Sequence, residues 1–276
     1  MRIRYRYAFR ADNKRVTDFL TKMNISFSSN TGKDPFIVLY AFEDEPFFPD
    51  LFAFMEAYGS GTCLWENVFS KEEMDRAEWL RVRSTWRPAY PFPAEDNGYL
   101  YDTYNTTNYC SKCGAGLVQE KRFRISKRIN WSTRNFFMLN WIHDELFLSP
   151  KAQALLSASG FTGFHFLNTH DKVGNVYPEV SQLIVENTTT PGLSPECVDR
   201  ILVCSECGRT RFMVKPGVMR YSQSSIDGIE SDIVKTGEQF GEITCSREIL
   251  VSQRLYQLLA TEKLDRGLVF EPIVLV

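Results

Sequence analysis

The first ten residues alternate strictly, with Ile3, Tyr5, Tyr7 and Phe9 on one face and Arg2, Arg4, Arg6 and Arg10 on the other. A period of two predicts a β-strand with one face in a core, and the arginine row reads as a solvated sheet face. The period then changes. Val16, Phe19, Leu20 and Met23 follow i, i+3, i+4, i+7 behind Asp12 or Asn13 as capping residue, which predicts a helix. Strands are predicted over 24–28 and 36–42, then a helix over 49–58 stopped by Gly59, then a strand over 62–69. The order β-α-β-β-α-β is that of the split βαβ, or ferredoxin-like, arrangement. Ser70 with Glu73 forms a capping box for a helix running to Leu80, and 81–87 alternates again.

Pro88, Pro91, Pro93 and Gly98 interrupt these periods. They place a linker or crossing loop at 91–108, between a domain over 1–90 and a second over 109–276. Inside the second domain one pattern occurs twice. Leu146-Phe147-Leu148-Ser149, then Leu155-Leu156, Gly163 and Phe164-His165-Phe166 is matched by Ile249-Leu250-Val251-Ser252, then Leu258-Leu259, Gly267 and Leu268-Val269-Phe270. Each copy predicts strand, serine-capped helix, glycine, strand, and Pro150 suits the first helical position. The expected fold class is α+β: a ferredoxin-like N-terminal domain, then an α+β domain with a duplicated strand-helix-strand unit.

Each copy follows a cysteine turn, Cys110-Ser111-Lys112-Cys113-Gly114 or Cys204-Ser205-Glu206-Cys207-Gly208. Two residues between cysteines let both sulfurs face one ion, and the glycine closes the turn with positive φ. Together the turns supply four thiolates, a closed four-cysteine set for one structural Zn²⁺ in a zinc-ribbon site. Two readings compete with it. A redox pair lies between a strand and a helix, whereas Leu117–Gln119 and Thr210–Val214 read as strands. Disulfides would leave one of seven cysteines over. About 90 residues separate the turns, and closing such a loop costs about 4 kcal/mol. Structural Zn²⁺ returns about 10–16 kcal/mol, so one ion suffices to clamp the intervening module. Cys63, Cys197 and Cys245 are expected to be buried thiols.

Of the 276 residues 43% are hydrophobic and 14% aromatic, enough for a packed core. The formal charge of −2 argues against a general nucleic-acid binder. No run approaches the ~20 apolar residues that span a bilayer, and the start carries no secretory signal. With free thiols these features give a cytoplasmic expectation. His143-Asp144-Glu145 is the one adjacent set of acid/base types. Neighbours on a strand or helix diverge, so it is read as a polar turn entering the Leu146 strand. No phosphate loop, dinucleotide fingerprint or nucleophile elbow occurs. Lys121, Arg122, Arg124, Lys127, Arg128 and Arg134, interleaved with Phe123 and Trp131, support an alternative as a zinc-ribbon nucleic-acid binder. The competing reading of that stretch is a strand with Phe123 and Ile125 inward.

The paired Cys-x-x-Cys-Gly turns, with Leu250–Leu259 (LVSQRLYQLL) and Gly267–Pro272 (GLVFEP), resemble the bacterial double-CXXCG motif family. That family is described as immunity proteins of polymorphic toxin systems. The resemblance covers about residues 105–276. It implies a non-enzymatic protein that binds a cognate toxin, and it carries the ligand role to Cys110, Cys113, Cys204 and Cys207 alone. If the toxin is a nuclease, an acidic surface mimicking phosphate would serve. Asp227, Glu230 and Asp232, in an acidic stretch over 222–241 read as an exposed loop or short helix, are the expected contacts.

Overall fold

The computed structural model describes residues 1–29, 35–58 and 62–276. The expected helix stop at Gly59 lies outside them. The fold is α+β, mostly strands with few helices, and the chain forms two compact units. The first is Met1–Ser70 with Pro216–Val218, the second Lys71–Lys215 with Met219–Val276. Among the described residues no helix is long and apolar enough to cross a membrane.

Unit one runs β1 (Arg2–Arg10), α1 (Lys14–Lys22), β2 (Ser28–Ser29), β3 (Phe36–Phe42), α2 (Phe48–Tyr58), β4 (Thr62–Val68). Its antiparallel sheet has the order β2-β3-β1-β4. Tyr7 and Phe9 of β1 pack with Val16, Leu20, Leu39 and Leu51, and Phe19 stacks on Phe54 at 3.9 Å. The arginine face of β1 is neutralised locally, Arg2 by Asp44 and Arg4 by Glu66. The second strand starts later than its pattern suggested, because Asn24 turns the chain at φ 53°. Asn67 holds residues 216–218 through a reciprocal pair with the Gly217 backbone, at 2.8 and 3.0 Å.

The division at Ser70 replaces the boundary expected near 91–108. The capped helix α3 (Lys71–Arg76) ends early, and Trp79–Ser84 is a strand, β5, at the centre of the second unit. Pro91–Phe92 (β6) pairs with Arg124–Ile125 (β9), and α4 (Tyr99–Thr103) buries Tyr99, Leu100 and Thr103. The proline-rich stretch is therefore packed structure.

The rest of unit two continues β7 (Tyr104–Asn105), β8 (Val118–Gln119), β9, β10 (Phe136–Phe137), β11 (Leu146–Leu148), α5 (Pro150–Ala158), β12 (Phe164–Asp171) and β13 (Val176–Val185). It ends β14 (Val198–Val203), β15 (Thr210–Val214), β16 (Met219–Tyr221), β17 (Ile233–Lys235), β18 (Ile249–Ser252), α6 (Gln253–Thr261) and β19 (Leu268–Leu275). One sheet reads β10-β11-β13-β12-β9-β6; the other, from its far edge, reads β17-β18-β5-β19-β16.

These sheets are two copies of one plan. In each, an edge strand pairs antiparallel with the strand before a serine-capped helix. The strand after the helix lies parallel to the first, with an antiparallel strand between them, and takes a parallel neighbour on its outer side. The register agrees residue by residue. Gln182 faces Phe147 and Leu167 as Arg81 faces Leu250 and Glu271; Arg124 faces His170 as Arg220 faces Val274. Capping agrees too: Ser149 Oγ donates to Asn135 Oδ1 and Ser252 Oγ to Asp232 Oδ1, each at 2.8 Å. The duplication thus extends well beyond strand-helix-strand. It includes a hairpin around each cysteine turn, β7–β8 and β14–β15. The central strands are exchanged: β5, ahead of the first turn, fills the second sheet, and β13, ahead of the second turn, fills the first. One shared core joins the copies, with Leu80, Leu146, Leu156, Leu183, Ile249 and Leu255 buried together.

Candidate metal centre

Both cysteine turns fold the same way because their sequence imposes the same hydrogen bonds. The Gly114 amide donates to the Cys110 carbonyl at 2.8 Å and Gly208 to Cys204 at 2.9 Å. The Cys110 and Cys204 amides donate onward to Ala115 and Arg209. Gly114 and Gly208 stand at φ 75° and 71°, where a side chain is strained. At Gly114 a Cβ would also lie 3.2 Å from the Cys245 nitrogen, whereas at Gly208 it would meet open space.

The structure brings Cys110, Cys113, Cys204 and Cys207 together, with all four sulfurs within 4.8 Å of one another. Cys110 and Cys204 are 3.7 Å apart and Cys113 and Cys207 3.6 Å. A tetrahedral centre with metal–sulfur bonds of about 2.3 Å requires sulfur pairs at about 3.8 Å. A disulfide requires about 2.05 Å, and all seven cysteines are free. The donor set therefore fits one thiophilic ion bound by four sulfurs. Both sulfur pairs, Cys110 with Cys204 and Cys113 with Cys207, join equivalent cysteines of the two copies, which sets the centre on the local axis relating them.

Its two sides differ electrostatically. Backbone amides of Cys207 and Glu206 bring the Cys204 thiol down to about 6, and the Arg209 amide lowers Cys207. Burial pushes Cys113 up to about 12. Without an ion, negative charge therefore gathers on Cys204 and Cys207, and metal binding displaces the proton held on Cys113. Lys112 bonds the Ser205 hydroxyl at 2.8 Å, linking the turns outside the sulfurs. Arg211 donates to the carbonyls of Cys113 and Gly241, at 3.4 and 3.1 Å, bracing the buried turn against the loop before β18. Nothing in the sequence around Arg211 announced that role. Cys245 packs against the centre, and burial pushes it up to about 11, leaving it a neutral thiol outside the ligand set. Cys197 is buried as expected, but Cys63 is exposed on its strand.

The other predicted positions behave differently. Asp232 is no surface contact: it is 5% exposed, accepts from Ser252 and Thr162, and holds Arg254 at 2.9 Å. The acidic stretch looked solvated because its charge partners are distant in sequence. Asp227 and Glu230 are exposed. Glu238, also in that stretch, is buried and accepts from the amides of Gly192 and Leu193. In the basic stretch Phe123 and Ile125 are core, while Arg124 pairs with Asp102 and Arg128 with Glu179. His143-Asp144-Glu145 leads into β11 as irregular chain with a bend at Asp144, and Glu145 is not a solvated turn residue but a nearly buried partner of Lys235.

No protein-family model matches the chain, and no curated protein matches it.

Proposed function

We propose that this chain is a non-enzymatic immunity protein that binds one cognate toxin in the cytoplasm, with a single structural Zn²⁺ fixing the scaffold. The carrying observation is the closed set of four sulfurs drawn from two distant Cys-x-x-Cys-Gly turns. Four protein ligands leave no open position for a reactive water, which favours a structural ion. The ion would join the tips of two ribbon-like hairpins and hold the copies in register. The strand order of unit one supports a ferredoxin-like module. The toxin assignment rests on the resemblance of the cysteine turns and the C-terminal segment. Asp227 and Glu230 remain the acidic contacts of this reading.

The test is co-expression with the product of the neighbouring reading frame. Rescue of growth, and a complex weakened by Asp227→Lys with Glu230→Lys, are the expected results. A toxic neighbour that is neither bound nor neutralised removes the reading. Elemental analysis should find one zinc per chain.

A further inference from the structure

Unit two contains a cavity of about 490 Å³ beside the metal centre, and the duplication explains its position. Counting back from β11 and β18, positions 141–144 correspond to 244–247, and both segments line it. The Arg247 amide donates to Asp144, its own counterpart, at 3.2 Å. The cavity thus straddles the local axis. The copies contribute unequally, since Trp141 faces the cavity from the first and Thr244 from the second.

Trp141 is the unusual wall. It is 43% exposed and stands at φ 69°, a conformation costly for a bulky side chain. Asn97, also at the wall, has φ 56°. Strain of this kind concentrates at binding sites, where surrounding structure over-determines it. Trp141 stacks on Tyr99 at 5.8 Å and meets Tyr90 edge-on at 4.7 Å, which fixes its indole as a platform. Tyr104 also lines the cavity, a phenol within the field of the Glu145 and Asp144 carboxylates. Asp144 uses one carboxylate oxygen on Arg247 and leaves the other unpartnered among the described residues.

Charge selects the ligand. The cavity holds Asp144 and Glu145 against Lys235 and Arg247, so the formal charges cancel. Lys235 is committed to Glu145 at 2.5 Å, and Arg247 to the carbonyls of Thr236 and Gly237, each at 2.6 Å. Lys235 is neutralised by Glu145, and Arg247, anchored by Nη1, stands among as many carboxylates as cations, so the cavity carries no net positive charge to draw a phosphate. What remains is an aromatic platform, a carboxylate oxygen, a phenol, and neutral amides and hydroxyls such as Asn97, Gln239 and Ser246. We propose that this cavity binds an uncharged ring bearing vicinal hydroxyls, the chemistry shared by saccharides and nucleosides. Trp141 stacks the ring and Asp144 accepts from its hydroxyls.

The test uses the full chain with its metal, titrated by saturation-transfer NMR and calorimetry. One arm contains methyl glucoside, methyl galactoside and N-acetylglucosamine; the other contains adenosine, guanosine, cytidine and uridine. Glucose 6-phosphate, AMP and spermidine are charged controls. Saturable binding in one arm identifies the source. Trp141→Ala should weaken that binding about tenfold or more, while Trp141→Phe retains most of it. Asp144→Asn keeps the acceptor for Arg247 but turns the other oxygen into a donor, and should weaken binding about fivefold. Both weakened variants should melt with the parent chain. Absence of saturation by every neutral compound, binding indifferent to all three substitutions, or binding of the charged controls alone would each overturn the proposal.

Discussion

The two copies in unit two share a plan but differ in what fills it. At the centre of the first sheet Gln182 bonds Glu145 and Gln119, amide to carboxylate and amide to amide. At the equivalent place in the second, Arg81 is buried between Glu248 at 3.0 Å and Glu271 at 2.5 Å. Backbone register survived divergence because the inner strands of each frame are held on both sides. Side-chain chemistry drifted freely wherever partners could drift together. The exchange of β5 and β13 makes each copy's sheet incomplete without the other. The copies therefore form one cooperative unit, with the four-sulfur cluster at their hairpin tips.

The largest test of that picture is the ion. Stripping it, or replacing Cys113 or Cys204 by Ser, should lower the melting temperature of unit two by at least about 10 °C and abolish zinc retention. The copies should then part company. Among the four cysteines of the metal-free chain iodoacetamide should modify Cys207 first and Cys113 last, since Cys207 is exposed and lowered by the Arg209 amide, whereas Cys204 is buried and burial both covers and raises Cys113. The pH dependence follows from Cys204, whose folded value of about 6 is below its unfolded one. That thiolate stabilises the metal-free fold above the unfolded value, and the contribution is lost as pH falls through about 6. Zinc re-uptake should fail over the same range, read by a chromogenic chelator. Re-uptake unchanged down to about pH 5 would contradict the assignment.

Next in size are the central strands. Arg81→Ala leaves Glu271 buried without its main partner and should cost about 3–5 kcal/mol. Gln182→Ala removes amide hydrogen bonds, one of them to the Glu145 carboxylate, but strands no buried ion, and should cost about 1–3 kcal/mol. Equal costs in denaturant melts would mean that the second centre is hydrated, contrary to the burial of Arg81 and Glu271.

The caps should give a near match. Ser149→Ala and Ser252→Ala each remove an N-cap and should cost about 0.5–2 kcal/mol. The lock behind each cap should not match. Asn135→Ala loses one bond to Ser149, whereas Asp232→Ala also releases Arg254 and the Thr162 amide. A deficit for Asp232→Ala no larger than for Asn135→Ala, in the same melts, would show those extra contacts to be idle.

The differences also mark what was legible beforehand. Helix caps, the paired glycines and the cysteine turns are local, so their residues announced them. The exchange of β5 was hidden because Trp79–Ser84 pairs with strands more than 160 residues away, and alternation names no partner. Strands of two residues, such as β6 and β9, are too short to show a period at all. Asp232 was misjudged for a related reason. An acidic run reads as solvated until Ser252 and Arg254 arrive from another segment. The four-sulfur centre was the exception among long-range features, because its two ends carry the same uncommon signature.

The smallest and cleanest comparison is between Gly163 and Gly267, which precede β12 and β19. Their φ values, 93° and 89°, are nearly equal, so an alanine at either meets similar backbone strain. Their surroundings are not equal. At Gly163 a Cβ would lie 2.5 Å from Ser231 Cβ and 2.7 Å from the Ile233 carbonyl, which belongs to β17 and cannot retreat without breaking its pairing. At Gly267 the nearest atom is Arg134 Cδ at 3.4 Å, on a flexible side chain whose guanidinium rests over Trp86 and which can shift by a few tenths of an ångström. Gly267→Ala should therefore cost only the conformational term, about 1–2 kcal/mol, while Gly163→Ala should cost at least about 1 kcal/mol more. Subtracting the two deficits cancels the backbone strain and leaves the contact with β17, a direct measure of how rigidly the second copy's edge strand is held.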